Sequence, residues 1–170
     1  MRSDVLPWIE YHWNFDFPAG MFRAIVERLR GTPARLEGLL REATPAALAR
    51  RIGDTWSVQQ HAGHLWSVEA LWQVRLREYL RGESVLTAAD MANRATEGAG
   101  YDARPVGEIL AGFEAARSEL VAVLDALDPE EASRVAHHPR LDRPMRLVDM
   151  CLFAAEHDDH HLAAIHVLLA

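Results

Sequence analysis

The chain contains no lysine; all 18 of its basic residues are arginine. That absence excludes Schiff-base chemistry and the phosphate-cradling lysine of a P-loop. The bias itself reads as codon usage in a GC-rich genome rather than as function. Cysteine is nearly absent too. Cys151 stands alone, so no intrachain disulfide can form, and a reducing cytoplasm is the simplest setting. Its place among apolar neighbours at helical spacing marks it as a small inert hydrophobe rather than a nucleophile. There is no secretory signal pattern, and no apolar run approaches the roughly 20 residues of a membrane span. A basic excess is also missing. The 25 acidic residues outnumber the basic ones, for a net charge of −7, which argues against nucleic acid or an anionic membrane as partner. Finally, no β-type alternation of any length is present, no internal repeat and no low-complexity tract.

What remains is helical. With 170 residues, 49% hydrophobic and 25% charged, the chain has the size and composition of one globular domain spanning 1–170. Residues 1–17 are aromatic-rich without a period and read as a tail that lays Trp8, Trp13 and Phe15 on the body or on a second subunit. A helix is expected from Pro18 to Arg30, broken at Gly31-Thr32-Pro33, where Thr32 would cap a new helix with Pro33 in its first turn. Thr44-Pro45 opens a short helical turn. Ser57 followed by Gln60 is a capping box, with Trp56 placed to staple the entry, and a long helix follows to about Leu80. Residues 81–104 form a long polar connection of the kind that carries function. Pro105 to Leu127 is the third long helix, and residues 129–146 form a second loop. The fold class predicted is all-α, a four-helix bundle with its long loop between the second and third long helices.

The stretch Leu147 to Leu169 organises the rest. Leu147, Met150, Cys151, Ala154, Ile165 and Leu168 form one stripe at about 100° per residue, and His157 and His161 lie within it. His160 falls to one side and His166 outside. A buried imidazole must have its nitrogens satisfied or it costs on the order of 1–3 kcal/mol, and two stacked at i and i+4 would repel if both were protonated. A divalent metal satisfies both conditions, as does a pair of core histidines bonded to carbonyls or carboxylates. Two ligands do not make a site, so a third must come from elsewhere. The second long helix offers His61 and His64. Periodicity alone favours His61, nearer the middle of its apolar stripe.

At these residues the chain resembles a known family. Trp56-Ser57, the His64-Leu65 pair that follows, and Ala155-Glu156-His157-Asp158 with His161 in the last helix look like the DinB/YfiT-like family of metal-dependent enzymes, also called the DinB superfamily. Gly31-Thr32-Pro33 with Arg35-Leu36, and His138-Pro139-Arg140-Leu141, resemble one branch of it. The resemblance covers the chain from about residue 20 onward. It implies a four-helix bundle with a three-histidine site whose ligands, carried over residue by residue, are His64, His157 and His161. It thereby overrides the periodicity argument for His61. The chain departs from the pattern at Ala164, where many members carry glutamine.

Three neutral imidazoles leave a coordination position open, as a catalytic site does, and Zn²⁺ or Ni²⁺ suits three nitrogens. Asp158 and Glu156 flank the ligands and are candidates to orient an imidazole from behind. His157-Asp158 with His161 also imitates the HExxH of zinc proteases, but Asp is a methylene too short for the base. The expected function is a metal-dependent enzyme acting on a small molecule, either a hydrolase or a transferase using a low-molecular-weight thiol as co-substrate. The alternative is a non-catalytic metal-binding, stress-related or structural protein. Asn93, Arg94, Tyr101 and Arg140 are candidate pocket residues. A homodimer is expected from the resemblance and from the N-terminal aromatics.

Overall fold

The computed structural model describes residues 5–170, so the part of the tail reading that concerns residues 1–4 lies outside the described residues. Four long helices form the body: α1 (Phe22–Leu40), α3 (Val58–Arg81), α5 (Val106–Ala126) and α7 (Leu147–Leu169). Between them lie the short α2 (Pro45–Leu48), α4 (Arg94–Gly98) and α6 (Pro129–Ala132) and a hairpin of β1 (Val135–His138) and β2 (Arg143–Arg146). Helices α1 and α3 each pack against both α5 and α7. The first two long helices therefore stand at opposite corners of the bundle, as do the last two. No described helix is long and apolar enough to cross a membrane.

Local chemistry sets most boundaries. Ser57 accepts from the backbone of Gln60 while the Gln60 side chain returns to the Ser57 backbone, closing the capping box that starts α3. Gly82 ends that helix at φ 73°, a left-handed conformation that glycine adopts without steric cost. Thr44 and Asp128 cap α2 and α6, each with a proline in the first turn.

Two expectations need correction. The break predicted at Gly31-Thr32-Pro33 is absent, and α1 runs through Pro33 unbroken. A proline inside a helix strips the carbonyl four residues back of its donor. Here that carbonyl, on Leu29, accepts from the Arg117 side chain of α5 instead. The second loop, read as free of strand, holds the β1–β2 hairpin, in register Val135 with Arg146 and His138 with Arg143. Strands of four residues are too short to show alternation. Their edge is extended by the backbone around Val85, where His137 bonds to Ser84 and Leu86.

The core is divided in two by a buried polar layer. One cluster holds Leu29, Trp72, Leu120 and Phe153; the other holds Leu36, Leu65, Phe113 and Leu162. Between them each long helix contributes one buried polar residue: Thr32, Glu69, Arg117 and Asp158. Arg117 bonds Glu69 and Asp158, and Asp158 also accepts from the Thr32 hydroxyl at 2.8 Å. All four corners of the bundle are thus joined through one guanidinium.

The N-terminal segment lies on its own bundle. Phe15 is buried, the Trp13 ring packs on Phe153, and a 3₁₀ turn at Trp8–Glu10 sets Trp8 against Phe153 and His157. Of the two placements expected for these aromatics, the structure shows the first, with Trp8 and Trp13 half-buried on the chain's own bundle.

Candidate metal centre

Helices α3 and α7 face each other across one flank of the bundle, and each presents histidines there. His64 is one turn beyond the N-terminal cap region of α3; His157 and His161 are one turn apart on α7. All three are buried, whereas His160 is half-buried and His166 exposed, in the order that the stripe of α7 dictates. The Nε2 of His157 lies 3.2 Å from the Nε2 of His64 and 3.2 Å from the Nε2 of His161. Three ring nitrogens thus converge on one point.

The opposite ring nitrogens face outward. His64 Nδ1 is 2.8 Å from the Thr96 hydroxyl on α4, and His161 Nδ1 is 2.8 Å from His61 Nδ1. His157 Nδ1 is buried and meets no hydrogen-bond partner. Trp56, just before the α3 cap, leans on His64 and His161 and donates its indole N–H to Glu97 at 2.6 Å. It also meets His61, the contact expected of a staple, at 5.6 Å between ring centroids.

Burial decides the protonation state. It pulls His64 down to about 3 and His61 to about 4, and drives His157 and His161 well below the ordinary histidine value, with neighbouring imidazoles adding to the effect. All are therefore neutral near pH 7. Neutral imidazoles at these separations cannot satisfy one another, since three Nε2 atoms sharing two close contacts cannot each find a donor. A tetrahedral ion bound at about 2.0–2.1 Å would have ligand nitrogens roughly 3.4 Å apart, close to the observed edges. The donor set fits a divalent cation.

His61 sits behind His161 rather than at the convergence point, so it is His64 that joins the α7 pair. The carboxylates expected behind the ligands are elsewhere. Asp158 is turned to Arg117 and Thr32, and Glu156 pairs with Arg28 at 2.8 Å; neither bonds an imidazole. A helix position one residue on from His157 points about 100° away, into the bundle centre. The outward partners are Thr96 and His61 instead. Nothing in the sequence marked Thr96, because its role depends on how the long connection folds back.

The three histidines line a cavity of about 700 Å³, within the range of small-molecule sites. Of the expected pocket residues, Asn93 and Arg140 line it, as does Ala164. Arg94 is exposed and paired with Asp90, and Tyr101 is buried beneath α3 with its hydroxyl 2.7 Å from Ser67. Sequence reasoning missed Trp8, Trp72 and Arg75, which also line the cavity. Arg75 could have been found as a cation within the apolar stripe of α3, beside Trp72, Leu76 and Tyr79. Cys151 is fully buried, its thiol pushed up to about 12 by burial, as a core position requires.

Comparison with known proteins agrees with this architecture. A family model described as the DinB superfamily matches residues 28–165. A solved structure described as "YfiT from Bacillus subtilis is a probable metal-dependent hydrolase with an unusual four-helix bundle topology" superposes with a TM-score of 0.81 at 20% identity, over 94% of this chain and 91% of that one. No curated protein matches the chain.

Proposed function

The chain belongs to the DinB superfamily, and on that premise we propose that it is a metal-dependent hydrolase in which His64, His157 and His161 hold one divalent cation, Zn²⁺ or Ni²⁺. The observation that supports this most directly is the convergence of three buried, neutral Nε2 atoms, that of His157 lying 3.2 Å from each of the other two. The description of the YfiT structure as a probable metal-dependent hydrolase points the same way. His64, His157 and His161 would hold a divalent cation with a coordination position left open, where it would supply Lewis-acid polarisation and a water acidified toward a pKa of about 7.

The protein's own groups prepare that chemistry. Thr96 and His61 engage the Nδ1 atoms of His64 and His161; with each accepting from the ring N–H, Nε2 is left with the lone pair that a cation takes. Trp8, Trp56 and Trp72 wall the histidines with indole rings and limit solvent access. The cavity beside them admits a small-molecule substrate. A low-molecular-weight thiol would enter by the same cavity as co-substrate in a transfer reaction.

The test is elemental analysis of protein purified without added metal. About one Zn or Ni per chain is expected in wild type and in His61→Ala, and none in His64→Ala, His157→Ala or His161→Ala. Hydrolysis of ester and amide panels, with and without an added thiol, then separates hydrolase from transferase. A wild-type protein that stays metal-free after reconstitution sinks the reading. A metal-loaded protein with no turnover in any arm supports the non-catalytic alternative.

A further inference from the structure

Two guanidiniums in the cavity of the three histidines form no ion pair among the described residues; Glu78, whose charge reaches Arg75, is bonded to the Thr87 amide and hydroxyl instead. Arg75, on α3, is almost fully buried. Its Nε donates to the Thr87 carbonyl at 2.9 Å and its Nη1 lies 3.1 Å from His138 Nε2, but its Nη2 is buried without a partner. Arg140, at the turn of the hairpin, is likewise left with a buried Nη2 that meets no acceptor. Both residues line the cavity, and no carboxylate pairs with either one among the described residues. The other buried arginine differs: Arg117 is held between two carboxylates.

Desolvated cations without anions are costly. Burial accordingly pulls the Arg75 pKa down to about 10 against the opposing pull of Tyr79 and Glu78, with the positive charge of Arg140 adding to the fall, and burial lowers Arg140 too. The surroundings hold these groups in place. His138 and Thr87 fix the plane of Arg75, while the Arg140 guanidinium carbon rests 5.4 Å from the Phe153 ring and 6.0 Å from the Trp8 ring. A rigid fork with open donors is the geometry that recognises a carboxylate.

We propose that Arg75 and Arg140 form an anion subsite of the same cavity, which takes the carboxylate of a substrate with an apolar or aromatic body. Trp72 lies 5.8 Å from the His157 ring and 5.6 Å from the Arg75 guanidinium carbon; Trp8 lies 5.1 Å from His157 and bridges to Arg140 in the same way. The arginines therefore stand about one aromatic ring away from the histidines. A carboxylate held there extends its body between the Trp8 and Trp72 rings and presents its other end to the three Nε2 atoms. The proposal rests on the metal-centre reading only in calling the bound molecule a substrate.

Calorimetric titration of chelator-treated, metal-free protein tests it, since a carboxylate then has no cation to bind other than arginine. The probes are 4-phenylbutyrate and its uncharged amide, 4-phenylbutanamide, against wild type, Arg140→Gln, Arg75→Gln and the distant exposed Arg81→Gln. The acid is expected to bind roughly tenfold or more tighter than the amide. That preference should vanish in Arg140→Gln and persist in Arg81→Gln, with amide binding unchanged throughout. Arg75→Gln should behave like Arg140→Gln; if it fails to fold by circular dichroism, Arg140→Gln decides alone. Equal binding of acid and amide, a preference that survives in Arg140→Gln, or no binding of either probe at about 10 mM overturns the proposal. None of these outcomes bears on the metal centre, which elemental analysis judges separately.

Discussion

The guanidinium of Arg117 donates through Nη1 to the backbone carbonyl of Leu29 at 2.9 Å, the carbonyl that Pro33 leaves without an intrahelical donor. One side chain on α5 thus repairs a defect in α1 while neutralising Glu69 on α3 and Asp158 on α7. The layer is not balanced, with one cation and two carboxylates. Burial pushes the Glu69 carboxyl up to about 7 against the pull of Arg117, and its second oxygen has no partner. Replacing Arg117 with Met keeps the volume and removes the charge. Two carboxylates would then be stranded in the core, and a loss of roughly 3–5 kcal/mol is expected. Replacing Glu69 and Asp158 with Leu as well should recover much of it. Urea denaturation midpoints measure both, and an Arg117→Met protein within about 1 kcal/mol of wild type would show that the layer is not what joins the helices.

The groups behind the three converging histidines make a second prediction. Thr96→Val keeps the shape of the side chain but removes the hydroxyl facing His64 Nδ1, and His61→Ala removes the partner of His161 Nδ1. Each should leave metal stoichiometry intact while weakening affinity by roughly 10–100-fold. Competition against a chromogenic chelator gives the affinity. Unchanged affinity in both variants would mean that the imidazoles are positioned by packing alone.

Thr96 reaches His64 only because its loop is docked on α3, and the docking depends on Gly63. A Cβ at position 63 would fall 2.2 Å from the Tyr101 ring. Tyr101 also bonds Ser67, and the Gln59 side chain binds the backbone carbonyls of Tyr101 and Arg104. Gly63→Ala must therefore displace Tyr101 and with it the segment that carries Thr96. A lower melting temperature together with weaker metal binding is the expected result. Gly112→Ala, on α5, meets the α3 residue Trp66 at 2.4 Å and reaches Tyr101 only through that ring, 6.1 Å away between centroids. It should lower the melting temperature and weaken metal binding less than Gly63→Ala does. Equal effects of the two substitutions on affinity would disprove the coupling.

Features encoded within a few residues were readable from the chain. The Ser57–Gln60 box, the full extent of α7 and the inward stripe carrying His157 and His161 all follow from local spacing. Features that depend on a distant residue were not. Pro33 looks like a helix break until Arg117 is seen to serve Leu29. Asp158 looks placed to orient an imidazole from behind until Arg117 and Thr32 claim it. Yet Arg117 carried a signal of its own, being a charge between Phe113 and Leu120 on an apolar stripe, as Glu69 is between Leu65 and Trp72. A charged residue at a core position asks for a partner from another helix. Periodicity also ranked His61 above His64 for a physical reason. The cavity opens at the edge of the α3 stripe, where an imidazole can face both the interior and the site.

The last prediction concerns acid stability and His138, which is buried beside Arg75. Both ring nitrogens face N–H donors: Nε2 lies 3.1 Å from Arg75 Nη1 and Nδ1 lies 3.2 Å from the Leu141 amide. A neutral imidazole offers one acceptor nitrogen and an imidazolium offers none, so protonation would break the bond to Arg75 and set two cations together. Burial, followed by Arg75 and Arg140, accordingly pulls its pKa from 6.5 to about 4. Above pH 6.5 the ring is neutral in both folded and unfolded chains, and its contribution is fully present. As pH falls from 6.5 toward 4 the unfolded chain takes up a proton that the folded chain refuses, and stability drops by about 1.4 kcal/mol per pH unit for this one group. Below about 4 the folded protein binds the proton as well and the loss levels off. His61, His64, His157 and His161 act in the same direction, so metal-free protein should be markedly acid-labile. His138→Gln keeps a hydrogen-bonding group beside Arg75 but cannot titrate. Its stability, measured by urea denaturation of metal-free protein across pH 4 to 6.5, should fall less steeply than wild type by about one proton's worth of slope. Parallel slopes for the two proteins would show that His138 takes up its proton in the folded chain at the same pH as in the unfolded one.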